Sequence, residues 1–207
     1  MITRKVTLLI IVSLFALLTA CNSESQQGDA LIKEGELTEY ERSLTDLVSE
    51  TFFIYDVEFL NENAKEVRLK VDYYQEGELV DTIVDFGTSI EEKKSRFVLL
   101  NTPYKDKEKW NAAVITENGM TSLETDPMDS LSNMDMTVSS VGMDETELKI
   151  GEKTIIASIV KSNQENISIP TDIASEEDLI EVTAYEHAFL VSATLMDCHI
   201  GDEGCTE

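Results

Sequence analysis

Two cysteines near the C-terminus are the residues whose type and spacing most directly suggest chemistry. Cys198 and Cys205 flank a short segment that contains Gly201 and Gly204, and these glycines allow a tight turn. In an oxidising compartment such pairs tend to close, so we expect a disulfide that pins the tail. A zinc or copper site built from Cys198, His199 and Cys205 is the alternative, and two free thiols are a third.

Methionines and acids in the middle of the chain suggest a second metal chemistry. Thioethers suit Cu(I), and the residues that could hold it are Met128, Met134, Met136 and His199. Methionine also fills irregular cores, so a structural role for these side chains is the alternative. Oxygen ligands for calcium are offered by Asp126, Asp129, Asn133 and Asp135, although their spacing is not that of an EF-hand loop.

Motifs of the common hydrolases and nucleotide-binding enzymes are missing from the sequence. It contains no Gly-x-Ser-x-Gly elbow, no His-Glu-x-x-His and no Walker A loop, and it has 2 histidines in all. Paired carboxylates could serve an extracellular hydrolase, but among 41 acidic residues no pair stands out. We therefore predict no catalytic residue and no cofactor, and we keep a carboxylate-based hydrolase as an alternative.

One cluster of basic residues interrupts a strongly acidic chain. The net charge is −25, from 16 basic and 41 acidic residues, which excludes nucleic acid as a partner because phosphate binding needs a positive surface. We predict an interaction patch for an acidic protein or an anionic cell-wall polymer, with solvated loops as the alternative. The patch comprises Lys93, Lys94, Arg96, Lys105, Lys107, Lys109 and Trp110.

The N-terminus carries an export signal. Arg4 and Lys5 precede an apolar run over residues 6–18, which is too short to span a bilayer. The run ends in Leu18-Thr19-Ala20-Cys21, which resembles the lipobox of bacterial lipoproteins. The resemblance implies cleavage before Cys21, lipidation of its thiol, and a mature protein anchored on the extracytoplasmic face of a membrane. An ordinary signal peptide is the alternative.

The boundaries that follow are a signal peptide over residues 1–20, a flexible tether over 21–33, and a β-rich domain over 34–207. The body of the protein resembles no characterised family. Residues 36–50 have the apolar spacing of a helix, and Thr38 followed by Glu41 predicts a capping box. We expect the apolar stripe of this helix to pack on the domain, with a partner-binding helix as the alternative.

Period-two patterns predict strands along most of the domain. Between residues 51 and 124 we predict a meander of about six antiparallel strands, with hairpins at residues 61–64 and at Asn118-Gly119. Further strands and a short helix capped by Ser175 follow. The sequence predicts a mainly β fold, an antiparallel β-sandwich of about nine or ten strands with one helix before it and one near its end. Two small β units dividing near 126–135 are the alternative.

These observations favour a lipid-anchored protein that binds a partner or ligand outside the membrane and performs no catalysis. The alternatives are the carboxylate-based hydrolase and a copper-binding or calcium-binding lipoprotein. The expected partners are the membrane, through the lipid anchor, and a protein or an anionic wall polymer.

Overall fold

The computed structural model describes residues 28–131, 136–141, 145–199, 201–202 and 205. In these residues it contains twelve strands and two helices. The strands are β1 (Ala30–Glu34), β2 (Thr51–Phe59), β3 (Glu66–Gln75), β4 (Glu78–Ser89), β5 (Lys94–Tyr104), β6 (Lys107–Ile115), β7 (Met120–Glu124), β8 (Met128–Asp129), β9 (Met136–Val141), β10 (Thr146–Leu148), β11 (Lys153–Ser162) and β12 (His187–Met196). The helices are α1 (Glu39–Val48) and α2 (Glu176–Thr183). The predicted signal peptide and Cys21 lie outside the described residues.

The strands form two antiparallel sheets that pack face to face. The first sheet has the order β10-β1-β2-β5-β6-β7, with β8 also pairing with β6. The second has the order β4-β3-β12-β11-β9. The predicted mainly β, two-layer architecture is confirmed, and the short strands β1 and β8 raise the strand number from the predicted nine or ten to twelve.

The core lies between the sheets and follows the alternation of the strands. Trp110 on β6 lies 5.8 Å, ring centre to ring centre, from Phe189 on β12, and both side chains are buried. The hydroxyl of Tyr55 on β2 donates across the interface to the carbonyl of Ile156 on β11. A smaller apolar cluster on the outer face of the second sheet is covered by α2, whose Val182 is fully buried.

The predicted meander is wrong in part. β2, β5, β6 and β7 share the first sheet, but β3 and β4 belong to the second. Residues 61–64 therefore carry the chain from one layer to the other and do not form a hairpin. The β6–β7 hairpin at Asn118-Gly119 is present, with Ile115 paired to Met120.

Two predicted boundaries are also wrong. Residues 30–33 were expected in the tether, yet they form β1, with Ala30 and Ile32 buried between β2 and β10. Asp29 fixes the entry to this strand, because its carboxylate accepts hydrogen bonds from the Asn61 side chain and the Ile150 amide. Each sheet combines strands from both sides of residues 126–135, so the alternative of two separate units fails.

Candidate functional site

The predicted basic patch is divided between the two ends of one hairpin. Lys94 and Arg96 lie at the start of β5, whereas Lys105, Lys107 and Lys109 surround the turn into β6. The eight residue steps from Arg96 to Tyr104 correspond to about 27 Å of extended chain. The structure therefore does not bring the predicted residues together into one surface.

Acidic neighbours accompany most of these cations. The ion pairs are Lys94 with Glu58 (3.3 Å), Arg96 with Asp56 (2.7 Å), Lys107 with Asp129 (3.5 Å) and Lys109 with Glu124 (2.7 Å). The hydrogen bonds with Asp56 raise the pKa of Arg96. Trp110 is 1% exposed and belongs to the core, so its placement in an exposed patch is wrong.

Cys198 and Cys205 are joined by a disulfide, with their Cα atoms 5.8 Å apart. His199 points elsewhere, with its Nδ1 atom 3.4 Å from the Ser89 hydroxyl. In the described part of the chain, no three His, Cys, Asp or Glu side chains converge on a metal-binding position.

The methionine candidates are only partly within the described residues. Met128 is half-buried and packs against the core, which is the structural role that the sequence left open. Met136 begins β9. Met134, Asn133 and Asp135 lie outside the described residues.

A buried ion pair that the sequence did not reveal joins the two sheets. The Nζ atom of Lys161 on β11 donates to Glu108 Oε2 on β6 over 2.9 Å, and the two side chains are 5% and 0% exposed. The second carboxylate oxygen, Glu108 Oε1, has no hydrogen-bond partner among the described residues, nor does Trp110 Nε1. We call Glu108, Lys161, Tyr73 and His187 the inter-sheet cluster.

The other half of the inter-sheet cluster is a tyrosine–histidine pair. The Tyr73 hydroxyl lies 2.6 Å from His187 Nδ1, and the Tyr73 ring stacks on Phe189. Burial lowers the pKa of His187, and the nearby Lys161 lowers it further, against the opposing effect of Glu186. Burial also raises the pKa of the Tyr73 hydroxyl. Both groups are thus held neutral near pH 7, as structural hydrogen-bonding partners.

A groove of about 450 Å³ lies on the exposed face of the first sheet and includes two of the seven residues of the predicted patch, Lys94 and Arg96. Lys33, Lys94 and Arg96 line it. They are accompanied by four carboxylates, those of Asp56, Glu58, Glu117 and Glu145. Acids thus outnumber bases here, so the groove does not present the cationic surface that an anionic polymer needs.

A larger groove, of about 650 Å³, runs between the β4 edge of the second sheet and the β7–β8 edge of the first. We call it the edge groove. Tyr73, Ile83, Leu123, Met128 and Leu131 form its partly buried apolar lining. Four exposed aspartates also line it, Asp81, Asp85, Asp126 and Asp129.

These aspartates do not have the environment of a hydrolytic carboxylate pair. A general acid at neutral pH needs a desolvated carboxyl group, whereas all four are exposed. Asp85 pairs with Arg68, and Asp129 pairs with Lys107. The edge groove has the size of a ligand site, and its four aspartates give it a negative charge.

Helix α1 is the most exposed apolar feature in the described structure. None of its residues is buried, so the prediction that it packs on the domain is wrong. The side chains of Tyr40, Leu44, Leu47 and Val48 are between 46% and 80% exposed. Their positions i, i+4, i+7 and i+8 place them on one face of the helix.

No helix in the described part of the chain is long and apolar enough to cross a bilayer.

Comparison with known proteins places the domain in a family. No curated protein and no solved structure matches the chain. The model of the YgaN domain family matches residues 31–195, a span that begins within β1 and ends within β12. It includes α1, both sheets and the inter-sheet cluster, and the chain therefore belongs to the YgaN domain family.

Proposed function

We propose that this protein is a lipid-anchored extracytoplasmic binding module that docks a protein partner through the exposed apolar face of α1. The lipobox-like Leu18-Thr19-Ala20-Cys21 supports the anchor and the location. The observation that carries the docking role is α1 itself, a capped helix whose four large apolar side chains contact no core.

The geometry of α1 matches a common mode of recognition. Amphipathic helices enter apolar grooves through anchors at i, i+4 and i+7, the spacing of Tyr40, Leu44 and Leu47. The capping box between Thr38 and Glu41 satisfies two of the free amides at the start of the helix. An exposed apolar stripe of this kind marks an interaction surface.

The remaining face of α1 specifies the chemistry of the partner. Glu39, Glu41 and Asp46 outnumber the single base, Arg42, along the helix. A groove that accepts the apolar stripe will meet these acids at its rim, so a basic rim gives complementary charge. The partner is therefore a protein with an apolar groove bordered by lysine or arginine. The same acids oppose docking on anionic lipid.

The anchor would hold this surface close to the membrane. The segment from Cys21 to Asp29 spans eight residue steps, which reach at most about 28 Å when fully extended. Asp29 is fixed to the domain by its bonds to Asn61 and Ile150. The anchor would therefore raise the effective concentration of the docking surface near partners that are themselves held at or near the same membrane, which favours binding to them.

The docking role is tested by replacing two anchors without weakening the helix. Leu44→Gln with Leu47→Gln keeps good helix formers and removes apolar surface. In cross-linking on intact cells, the yield of the partner adduct should fall tenfold or more, which corresponds to about 1.4 kcal/mol of binding free energy. The matched control is Ile180→Gln with Met120→Gln, which alters two equally exposed apolar residues outside α1. An equal loss of partner adduct in the Leu44/Leu47 variant and the control, or no loss in the Leu44/Leu47 variant, would contradict docking through α1.

The anchor is tested separately. Cys21→Ala removes the thiol that lipidation requires, so the protein should leave the membrane fraction and lose any incorporated lipid label. Fractionation of cells compares it with Cys198→Ser, which removes a different cysteine. A variant that stays fully membrane-bound with unchanged lipid label rejects lipidation at Cys21, whatever the result for α1.

A further inference from the structure

The edge groove borders unpaired strand edges of both sheets. Among the described strands, β4 pairs with β3 alone and β7 pairs with β6 alone. The groove is lined by the consecutive residues Val80, Asp81, Thr82 and Ile83. The β3–β4 register skips Val80 and Ile83, so β4 bulges at these two residues, and the groove that touches all four successive residues follows this bulged edge of β4. Backbone hydrogen-bonding groups are exposed along such an edge.

The charge of the edge groove has one sign. Among its described lining residues are four aspartates and no lysine, arginine or histidine. No ion pair in the described part of the chain reaches Asp81 or Asp126, whereas Asp85 and Asp129 are paired with Arg68 and Lys107. Asp81 lies opposite Tyr73 in the β3–β4 register, and Tyr73 also lines the groove. An unneutralised carboxylate therefore adjoins the apolar lining.

We propose that the edge groove binds an extended peptide of alternating apolar and basic residues, which adds to the second sheet as a strand beside β4. One set of its side chains lies on Ile83, Leu123 and Met128. Asp81 lies opposite Tyr73 and faces the same side as this apolar lining, so the longer basic side chains of the other set reach Asp81 and Asp126 around the rim of the groove. Main-chain bonds to β4 supply affinity that does not depend on sequence, and the side chains select the ligand, as in other cases of strand addition.

The dimensions of the groove set the length of the ligand. Because β4 bulges, its lining from Asp81 to Asp85 matches three steps of β3, from Tyr73 to Lys70, about 10 Å along a strand, so about four residues fill it. The exposed Leu79 and Val80, each just over half exposed, extend the apolar edge by one step. Pairing with a second copy of β4 is disfavoured because it would bring Asp81 and Asp85 of both copies together.

The test uses defined peptides and the complete mature chain. The probe is the acetylated and amidated hexapeptide with the sequence Val-Lys-Val-Lys-Val-Lys. Comparison peptides replace lysine by glutamate, or carry N-methyl groups on alternate residues, which blocks strand pairing. We expect binding of the first peptide, at least tenfold weaker binding of both others, and slowed hydrogen exchange of the amides of residues 80–83. Binding should weaken with added salt.

Protein variants locate the site. Asp81→Asn with Asp126→Asn should weaken binding by about threefold to tenfold, because each exposed charge pair contributes modestly. Asp172→Asn with Glu165→Gln is the charge-matched control on an exposed loop away from the groove, and it should bind normally. Equal binding of the lysine and glutamate peptides overturns the charge argument, and undiminished binding of the N-methylated peptide overturns strand addition. No binding of the first peptide rejects the proposal, without bearing on docking through α1.

Discussion

Glu108 and Lys161 come from opposite sheets and meet in the interior of the sandwich. Removing two charges from water costs several kcal/mol per ion, and mutual attraction repays this only with good geometry. The 2.9 Å contact supplies one strong bond, while Glu108 Oε1 has no partner among the described residues. The pair therefore contributes little net stability, yet it strongly disfavours arrangements of the sheets that would leave either charge unpaired.

Removing one member of this pair should be far more harmful than removing both. Lys161→Met leaves a buried carboxylate uncompensated and should lower the free energy of unfolding by about 3–5 kcal/mol. Adding Glu108→Leu should restore most of that loss. Urea denaturation measures both variants, with Lys94→Met as the control at an exposed pair, where less than about 1 kcal/mol is expected. Additive losses in the double variant would show that the two residues do not act as a pair.

His187 should make stability depend on pH. Its pKa in the folded state is lowered, chiefly by burial, so folding favours the neutral ring. The stabilisation is complete above the unfolded pKa of about 6.5, begins to fall there, and is lost as the pH falls through the lower folded-state pKa. We expect the free energy of unfolding to fall between pH 7 and 5 in the wild type, and to fall less in His187→Gln.

The pH window separates this effect from that of the carboxylates. Asp29, Glu92 and Glu186 have lowered pKa values because they accept hydrogen bonds, so their contributions are lost only below about pH 4.5. His199→Gln, at a half-exposed position, serves as the control and should retain most of the wild-type slope. Identical slopes for wild type and His187→Gln would show that burial of His187 does not control this dependence.

The two helices have the same type of cap but different tertiary support. Thr38 with Glu41 begins α1, and Ser175 with Asp178 begins α2. α1 buries no residue, whereas α2 buries Val182 and Thr183 against the second sheet. Loss of the α1 cap at Thr38 should therefore destabilise only α1 itself, whereas loss of the α2 cap at Ser175 should lower the stability of the whole domain.

Matched cap variants test this difference. Ser175→Ala should lower the free energy of unfolding by about 1 kcal/mol. Thr38→Ala should leave global unfolding nearly unchanged and accelerate hydrogen exchange of the α1 amides. Urea denaturation and exchange on both proteins provide the comparison. A global loss of similar size in Thr38→Ala would mean that α1 packs on the domain after all.

Local sequence patterns predicted the helix caps and turns better than they predicted which strands pair with one another. The caps at Thr38 and Ser175 and the Asn118-Gly119 turn depend on neighbouring residues, and all three are present. β1 was missed because Ala30, Leu31 and Ile32 form a short apolar run without alternation, and its burial comes from pairing with β2 and β10. The turn at residues 61–64 could not show by itself that its two strands belong to different sheets.

At the scale of the whole molecule, the prediction of a two-layer sandwich was correct, whereas the residues of the predicted basic patch do not lie together on one surface. Alternation along a strand indicates one buried face, and two such sheets must cover each other. Proximity in sequence is a poor guide to a surface when the intervening chain is extended, as between Arg96 and Tyr104. The Glu108–Lys161 contact joins residues 53 positions apart, and no local pattern in the sequence indicates it.

The two proposed surfaces belong to different elements of the sandwich. α1 connects β1 to β2 of the first sheet, while the edge groove lies between β4 and the β7–β8 edge. The family match covers both. The two binding proposals depend on different residues, so each can be tested with its own variants.

Photo-crosslinking in intact cells tests the central claim, docking through α1, most directly. A photoreactive amino acid replaces Leu47, on the apolar face, or its neighbour Asp46, on the polar face. The account predicts a discrete protein adduct from position 47 that is at least tenfold weaker from position 46 and that disappears with Leu44→Gln. Equal adducts from both positions, or none from position 47, would contradict it.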